Sequence, residues 1–155
     1  SIGFKSISFD KSLCKEPVEA GSGKISVLLV EPNKYPKMIE IDDTLEAMQA
    51  VVGGDIEEYM PFEDEVAIIC NEEGKVNGLP PNRAVYEENS REMLDIICGK
   101  FFIAYAPFEA EKFQSLPPDL AEKYREKFKY PERFMRVNNE IVAVPLKPVR
   151  ADKER

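Results

Sequence analysis

The chain has 155 residues, 43% of them hydrophobic and 32% charged, which fits one globular domain and excludes global disorder. It contains no histidine, which excludes Ser–His and Cys–His catalytic pairs and every histidine-containing metal site. The formal net charge is −8, with 16 acidic and 4 basic groups in residues 37–95 alone, and direct nucleic-acid binding is disfavoured because such a surface repels phosphates.

The first 23 residues differ in character from those that follow. Residues 1–23 end in Ala-Gly-Ser-Gly, a flexible stretch, and we predict an N-terminal extension or linker there. A short extra strand or a docking peptide can include Phe4, Ile7 and Phe9. We expect a single core domain over residues 24–146 and a charged tail over residues 147–155.

The core domain is predicted to begin with a hairpin and a helix. Residues 24–31 are apolar on both faces, as in a central strand, and residues 37–42 form a second strand beyond a turn. Residues 43–52 carry apolar side chains at helical spacing. Asp43 is the expected N-cap, and Gly53 is the expected end of the helix.

Two more strands and a long loop are predicted next. Residues 56–62 and 66–70 have the composition of strands, and a tight turn at residues 71–74 requires a positive φ angle at Gly74. Residues 75–90 contain Asn-Gly and Pro-Pro pairs, which break regular structure, so we predict a loop there.

The last third of the chain is predicted to contain a strand, a helix and a hairpin. Residues 94–106 form one strand with a bulge at Gly99, and residues 115–130 form a helix capped by Ser115. Two short strands flank Asn138-Asn139, at residues 134–137 and 140–144. Because hairpin strands outnumber helices, we predict an α+β fold, a mostly antiparallel sheet with two helices packed on it.

The cysteines and the apolar runs indicate a reduced, soluble protein. Cys14, Cys70 and Cys98 lack the spacing of a disulfide framework or a zinc site, and we expect the last two to be buried free thiols. A cytoplasmic location follows from this reading, and no metal or cofactor is expected. No apolar run reaches the length of a membrane span.

Several segments together carry a resemblance to a known family. The most specific are Asn-Glu-Glu-Gly at residues 71–74 and Gly-Leu-Pro-Pro-Asn-Arg at residues 78–83, supported by residues 41–49 and 95–103. In these the chain resembles domain of unknown function 3846, over about residues 24–146. The resemblance brings no catalytic residues. It implies a cytoplasmic protein of a bacterial phage or mobile element that acts on a host or defence protein.

The loops of residues 71–83 are a candidate ligand site. Asparagine side chains bind polar edges of ligands, and an arginine can clamp a phosphate or carboxylate. The alternative is that the asparagines form turns and the arginine pairs with a glutamate. The candidate residues are Asn71, Asn77, Asn82 and Arg83.

Two acidic runs are a candidate surface for a basic partner. Adjacent strand residues point to opposite faces, so Glu57 and Glu58 do not readily serve one cation site. A solvated edge is the alternative. The candidate partner-binding residues are Glu57, Glu58, Glu63, Asp64 and Glu65.

Three functions are compatible with these features. The one we favour is a non-enzymatic binding protein that engages a host or defence protein through its acidic surface. The first alternative is a small-ligand or nucleotide-binding domain that uses the 71–83 loops. The second is a small carboxylate-based hydrolase, which requires two acids converging in a pocket. The oligomeric state stays open.

Overall fold

A computed structural model of the protein describes residues 23–147. The predicted extension at 1–23 and tail at 147–155 therefore lie almost wholly outside the described residues. Within them the chain forms nine strands and two helices, in the order β1 Lys24–Val30, β2 Lys37–Asp42, α1 Leu45–Val52, β3 Ile56–Tyr59, β4 Val66–Asn71, β5 Pro81–Tyr86, β6 Met93–Cys98, β7 Phe101–Tyr105, α2 Pro118–Lys127, β8 Glu132–Val137 and β9 Glu140–Pro145.

The main sheet has five strands in the order β2-β1-β7-β4-β3, and every pairing in it is antiparallel. Two further antiparallel ribbons, β5–β6 and β8–β9, lie outside this sheet. The predicted α+β class with a mostly antiparallel sheet is confirmed.

Both faces of the main sheet are apolar, and each packs against a separate hydrophobic core. Successive side chains of the central strands point to opposite faces and so enter the two cores alternately. On one face Val27, Ile69 and Phe102 pack with Met48 of α1. On the other face, neighbouring residues of the same strands pack with side chains of the β5–β6 ribbon and of α2, among them Leu28, Ile68, Phe101, Val85, Ile97, Tyr124 and Phe128. The two helices thus cover opposite faces, and the near-continuous apolar sequences of β1, β4 and β7 follow from this double burial.

Both helices begin after the predicted cap. Thr44 is the N-cap of α1, its hydroxyl accepting from the Ala47 amide at 3.1 Å, whereas Asp43 forms an ion pair with Lys112 at 2.8 Å. Helix α2 begins at Pro118, and the Ser115 hydroxyl instead accepts from the amide of Ser26 at 2.9 Å. The predicted caps were wrong because both side chains have tertiary partners.

The predicted loop at residues 75–90 contains strand β5 (Pro81–Tyr86), and the predicted strand at residues 94–106 is two strands. Gly99, with φ +89°, turns the chain from β6 in the ribbon into β7 in the main sheet. A positive φ of this kind suits glycine, which lacks the Cβ that disfavours it. The glycine therefore separates two strands rather than forming a bulge in one.

The predicted hairpin near the end of the described chain is confirmed. Asn138 and Asn139 have φ angles of 52° and 67°, as a two-residue turn between antiparallel strands requires. The β8–β9 ribbon is anchored to the domain by Glu132, whose Oε1 accepts from the Ala84 amide of β5 at 2.8 Å.

Candidate functional site

A pocket of about 340 Å³ lies beside β3, β4 and β6 and is closed on one side by the turn after β4. We call it the acidic pocket. Its lining includes four carboxylates against a single ammonium group. The lining residues are Glu57, Cys70, Asn71, Glu72, Glu73, Gly74, Lys75, Val76, Asp95, Ile96, Ile97 and Cys98.

Glu57 is the most unusual residue of the pocket. Glu57 lies on the same sheet face as Tyr59, which is two positions further along β3. Glu57 is only 9% exposed. Among residues 23–147, no group forms a hydrogen bond or ion pair with its carboxylate. Burial, followed by the charges of Glu72 and Asp95, raises the pKa of Glu57 to about 7. The carboxyl group therefore keeps its proton to a higher pH than an ordinary glutamate does.

Asp95 contributes a second carboxylate to the pocket from strand β6. Its side chain is 10% exposed and forms an ion pair with the Lys75 ammonium, which is itself mostly exposed. Asp95 Oδ1 also accepts from the Ile96 amide at 2.8 Å. Lys75 thus offsets the charge of Asp95. Glu57 is left as the buried acid of the pocket with no countercharge in contact among residues 23–147.

The wall of the pocket is shaped by Asn71 and Gly74. The Asn71 side chain donates to the Val52 carbonyl at 3.2 Å and accepts from the Glu73 amide at 2.8 Å, which fixes the turn after β4. The predicted positive φ at Gly74 was wrong: a Cβ there would lie 2.6 Å from the carbonyl oxygen of Cys98. The glycine permits a close approach of two backbones.

The structure separates the four predicted ligand residues. Asn71 lines the acidic pocket, and Asn77 is exposed on the adjacent turn. Asn82 and Arg83 are buried away from this pocket, with Asn82 Nδ2 donating to the carbonyls of Val30 and Gly99, each at 2.9 Å.

Arg83 is fully buried, and its guanidinium group donates hydrogen bonds to oxygen atoms of the protein itself. Its Nε donates to Phe128 O at 3.0 Å, and its Nη2 donates to Lys34 O at 2.7 Å. Its Nη1 donates to Asn82 Oδ1 at 2.8 Å. Burial lowers the pKa of Arg83 to about 10, so the side chain stays charged at neutral pH. This geometry ties α2 and the β1–β2 turn to β5, and it does not suit the predicted clamp on a ligand.

The five predicted partner-binding residues also have different surroundings. Glu57 lines the acidic pocket, whereas Glu58 is half-buried and does not. Glu63 is exposed and Glu65 is half-buried. Asp64 accepts from Lys123 Nζ at 2.6 Å and from the Tyr124 hydroxyl at 2.7 Å, and these bonds, the Lys123 bond first, lower its pKa. The prediction that Glu57 and Glu58 diverge is confirmed.

Sequence reasoning missed Asp95, Lys75 and Glu72 as site residues. Asp95 interrupts the otherwise apolar strand Met93-Leu-Asp-Ile-Ile-Cys98, and a charge within an apolar strand is a signal that was available.

The thiols of the pocket are in their neutral form at physiological pH. Cys70 and Cys98 are free, and Cys70 is buried as predicted, while Cys98 is half-buried. Burial raises the pKa of Cys70 to about 12 and raises that of Cys98 as well. Neither thiol is therefore activated as a nucleophile.

The part of the chain that the structure describes contains no group of three or more cysteine, aspartate or glutamate side chains arranged to hold a metal ion. Its helices are also too short or too polar to cross a membrane.

The comparison with known families matches residues 25–129 to a family described as a domain of unknown function, DUF3846. The chain belongs to this family. The DUF3846 match includes every residue of the acidic pocket and ends before the β8–β9 ribbon, so it is shorter than the resemblance over residues 24–146. No curated protein and no solved structure matches the chain.

Proposed function

We propose that this DUF3846 protein is a non-enzymatic binding domain whose acidic pocket takes a cationic group, an ammonium or guanidinium of a small molecule or of a partner protein. The observation that supports this most strongly is Glu57, a residue that is only 9% exposed, lines the pocket and has no partner for its carboxylate among residues 23–147.

The energetics of Glu57 favour a cationic ligand. A buried carboxylate without a countercharge is unfavourable, and this cost is the reason that its pKa is raised. A ligand ammonium or guanidinium beside it supplies the countercharge and the hydrogen bonds that residues 23–147 do not provide. Binding is then strongest when Glu57 is ionised, so affinity for the cation rises with pH up to about pH 7.

The size and charge of the pocket favour a small, positively charged ligand. About 340 Å³ lies at the small end of the roughly 300–1,000 Å³ that ligand pockets occupy. One side chain or one small amine fits such a volume. Four carboxylates around it repel phosphates, so the pocket favours a small cation over the nucleotide alternative.

We also propose that the cationic group belongs to a protein of a bacterial host, in keeping with a phage or mobile-element protein that acts on a host or defence component in the cytoplasm. This part rests on the family resemblance and on the concentration of acidic residues between positions 37 and 95. Electrostatic attraction of a basic partner accelerates association and loses strength with salt.

A second candidate is the carboxylate-based hydrolase, because Glu57 and Asp95 both line one cleft. An acid with a pKa of about 7 is suited to proton transfer near neutral pH. Turnover of a substrate that is abolished in Glu57→Gln but retained in Glu58→Gln would favour this candidate over simple binding.

The proposal is tested by titrating the full chain with agmatine, putrescine and arginine methyl ester, with AMP as the anionic comparator, and following backbone amide shifts by NMR. We expect saturable shifts in residues 71–76 and 95–98 with at least one of the cations and none with AMP. Glu57→Gln is expected to weaken binding at least about 10-fold, and Glu58→Gln, from the neighbouring position, to leave it unchanged. Equal affinity of the two variants, or no response to any of the cations, would refute the proposal.

A further inference from the structure

Exposed apolar side chains are concentrated on the β8–β9 ribbon. Five of the eleven exposed large apolar residues in the described chain lie between positions 135 and 146. They are Met135, Val137, Ile141, Val144 and Leu146. In the described part of the chain this ribbon has two strands, and a two-stranded ribbon is at best marginally stable in water without further strands or packing.

The two faces of the ribbon differ. Glu132, Phe134 and Ala143 are half-buried on one face, where Glu132 bonds to β5. The other face has Met135 paired with Val142, Arg133 paired with Val144, and Val137 paired with Glu140. This outward face is mostly exposed and has an apolar centre.

Among residues 23–147, nothing pairs with the main-chain groups on the outer edge of β9. The Leu146 amide donates to the Pro131 carbonyl at 2.7 Å. This bond shows which residues of β9 direct their main-chain groups toward β8. Because narrow and wide pairs alternate along an antiparallel ladder, the amides and carbonyls of Ile141 and Ala143 point away from β8. Such an edge is a template for strand addition.

We propose that β9 pairs with β9 of a second copy of this chain, so that two ribbons form one four-stranded antiparallel sheet. With Val142 on the two-fold axis, Ile141 of each copy lies opposite Ala143 of the other. This register forms about four main-chain hydrogen bonds across the axis. The pairing is closed, because each copy uses the same strand.

The charges of the ribbon are compatible with a second copy in this register. Glu140 of one copy lies opposite Val144 of the other, and Arg133 is the partner of that valine within its own ribbon. The outer rows of the joined sheet thus each contain one arginine and one glutamate, and no like charges face each other. The central row consists of Met135 and Val142 from both copies, so the apolar centres of the two outward faces become continuous.

The self-pairing of β8 is less favourable. The Glu132 carboxylate of β8 accepts from the Ala84 amide of β5, so this strand is already engaged with the rest of the domain. The free edge of β9 is therefore the dimerisation edge.

The test is sedimentation velocity of the full chain over a range of concentrations from about 1 to 200 µM, wide enough to detect a micromolar equilibrium. We expect a reversible species of about twice the 17.6 kDa mass of the chain. Ala143→Pro removes an outward-facing amide without breaking the β8–β9 ladder, and Val142→Lys places two ammonium groups together on the axis. Each is expected to weaken dimerisation at least about 10-fold.

Phe108→Lys is the matched control, because it adds the same charge at a residue that is 72% exposed in a loop away from the ribbon. It is expected to leave the dimer intact. Circular dichroism establishes that each variant is folded. A monomer at all concentrations would overturn the proposal, whether the edge of β9 is bare or covered by another segment of the same chain. A dimer that persists in both ribbon variants would also overturn it.

Discussion

Replacing Glu57 by glutamine removes the titration of a buried carboxyl group and keeps its shape, so the effect on stability depends on pH. Folding raises the pKa of Glu57 from its ordinary value of 4.5 to about 7. The folded state therefore holds the proton more tightly than the unfolded state. The wild type has its full stability below about pH 4.5, loses stability as pH rises through the interval between the two values, and loses no more above about pH 7.

The magnitude follows from the two pKa values. With 1.36 kcal/mol for each unit, the loss of stability reaches about 3 kcal/mol above pH 7. About 1.4 kcal/mol of it is already lost at pH 5.5. We therefore expect the stability of Glu57→Gln relative to the wild type to increase by about 2 kcal/mol between pH 5.5 and pH 8.5.

Urea unfolding at a series of pH values, followed by circular dichroism, measures this difference. Glu109→Gln is the control, because Glu109 is an exposed glutamate outside the pocket, and its difference from the wild type is expected to vary by less than about 0.5 kcal/mol. A difference between Glu57→Gln and the wild type that stays constant across the pH range would refute the reasoning, because it would mean that Glu57 is solvated or paired in the folded protein.

Three further predictions concern the residues that support the pocket and the fold. Arg83→Met leaves the carbonyls of Phe128 and Lys34 without donors, and urea unfolding should reveal a loss of at least about 3 kcal/mol; a loss under 1 kcal/mol would contradict the structural role of this arginine. Gly74→Ala forces the turn away from the Cys98 carbonyl and should cost about 1–3 kcal/mol by the same measurement, whereas an unchanged midpoint would show that the backbones are farther apart. In a Cys14→Ser background, a thiol reagent should modify Cys98 before Cys70, because Cys70 is 4% exposed and its pKa is raised to about 12. Mass spectrometry of digests measures the order of modification, and the reverse order would be inconsistent with this structure.

The parts of the fold that could be predicted from the sequence are those set by local patterns. Continuous apolar runs identified β1 and β4, and helical spacing of apolar residues identified both helices. Asn138-Asn139 identified the last hairpin. Each of these signals lies within a few residues of the structure that it specifies. Strand β5 was missed because Pro80-Pro81 and Asn82 are typical of loops. Its stability depends on bonds from Asn82 and Arg83 to Val30 and Phe128, which are distant in sequence.

The candidate site was predictable only in part. Asn71 and Glu57 were identified as candidates, but they were assigned to two separate surfaces, and the structure places both in one pocket. The position of Asp95 in the pocket depends on the turn at Gly99, which moves β6 out of the main sheet. The sequence predicted one continuous strand over residues 94–106, which does not contain this turn. The convergence of Glu57 and Asp95 could therefore not be derived from that prediction.

The most direct test of the proposed cation site is the pKa of the Glu57 carboxyl group itself, measured by carbon NMR titration with and without a saturating cation from the binding panel. We expect a pKa of about 7 without the cation and a pKa at least about one unit lower with it, because a ligand that prefers the ionised form must lower the pKa of the group. A value near 4.5 in the free protein, or a pKa that the bound cation leaves unchanged, would contradict the account.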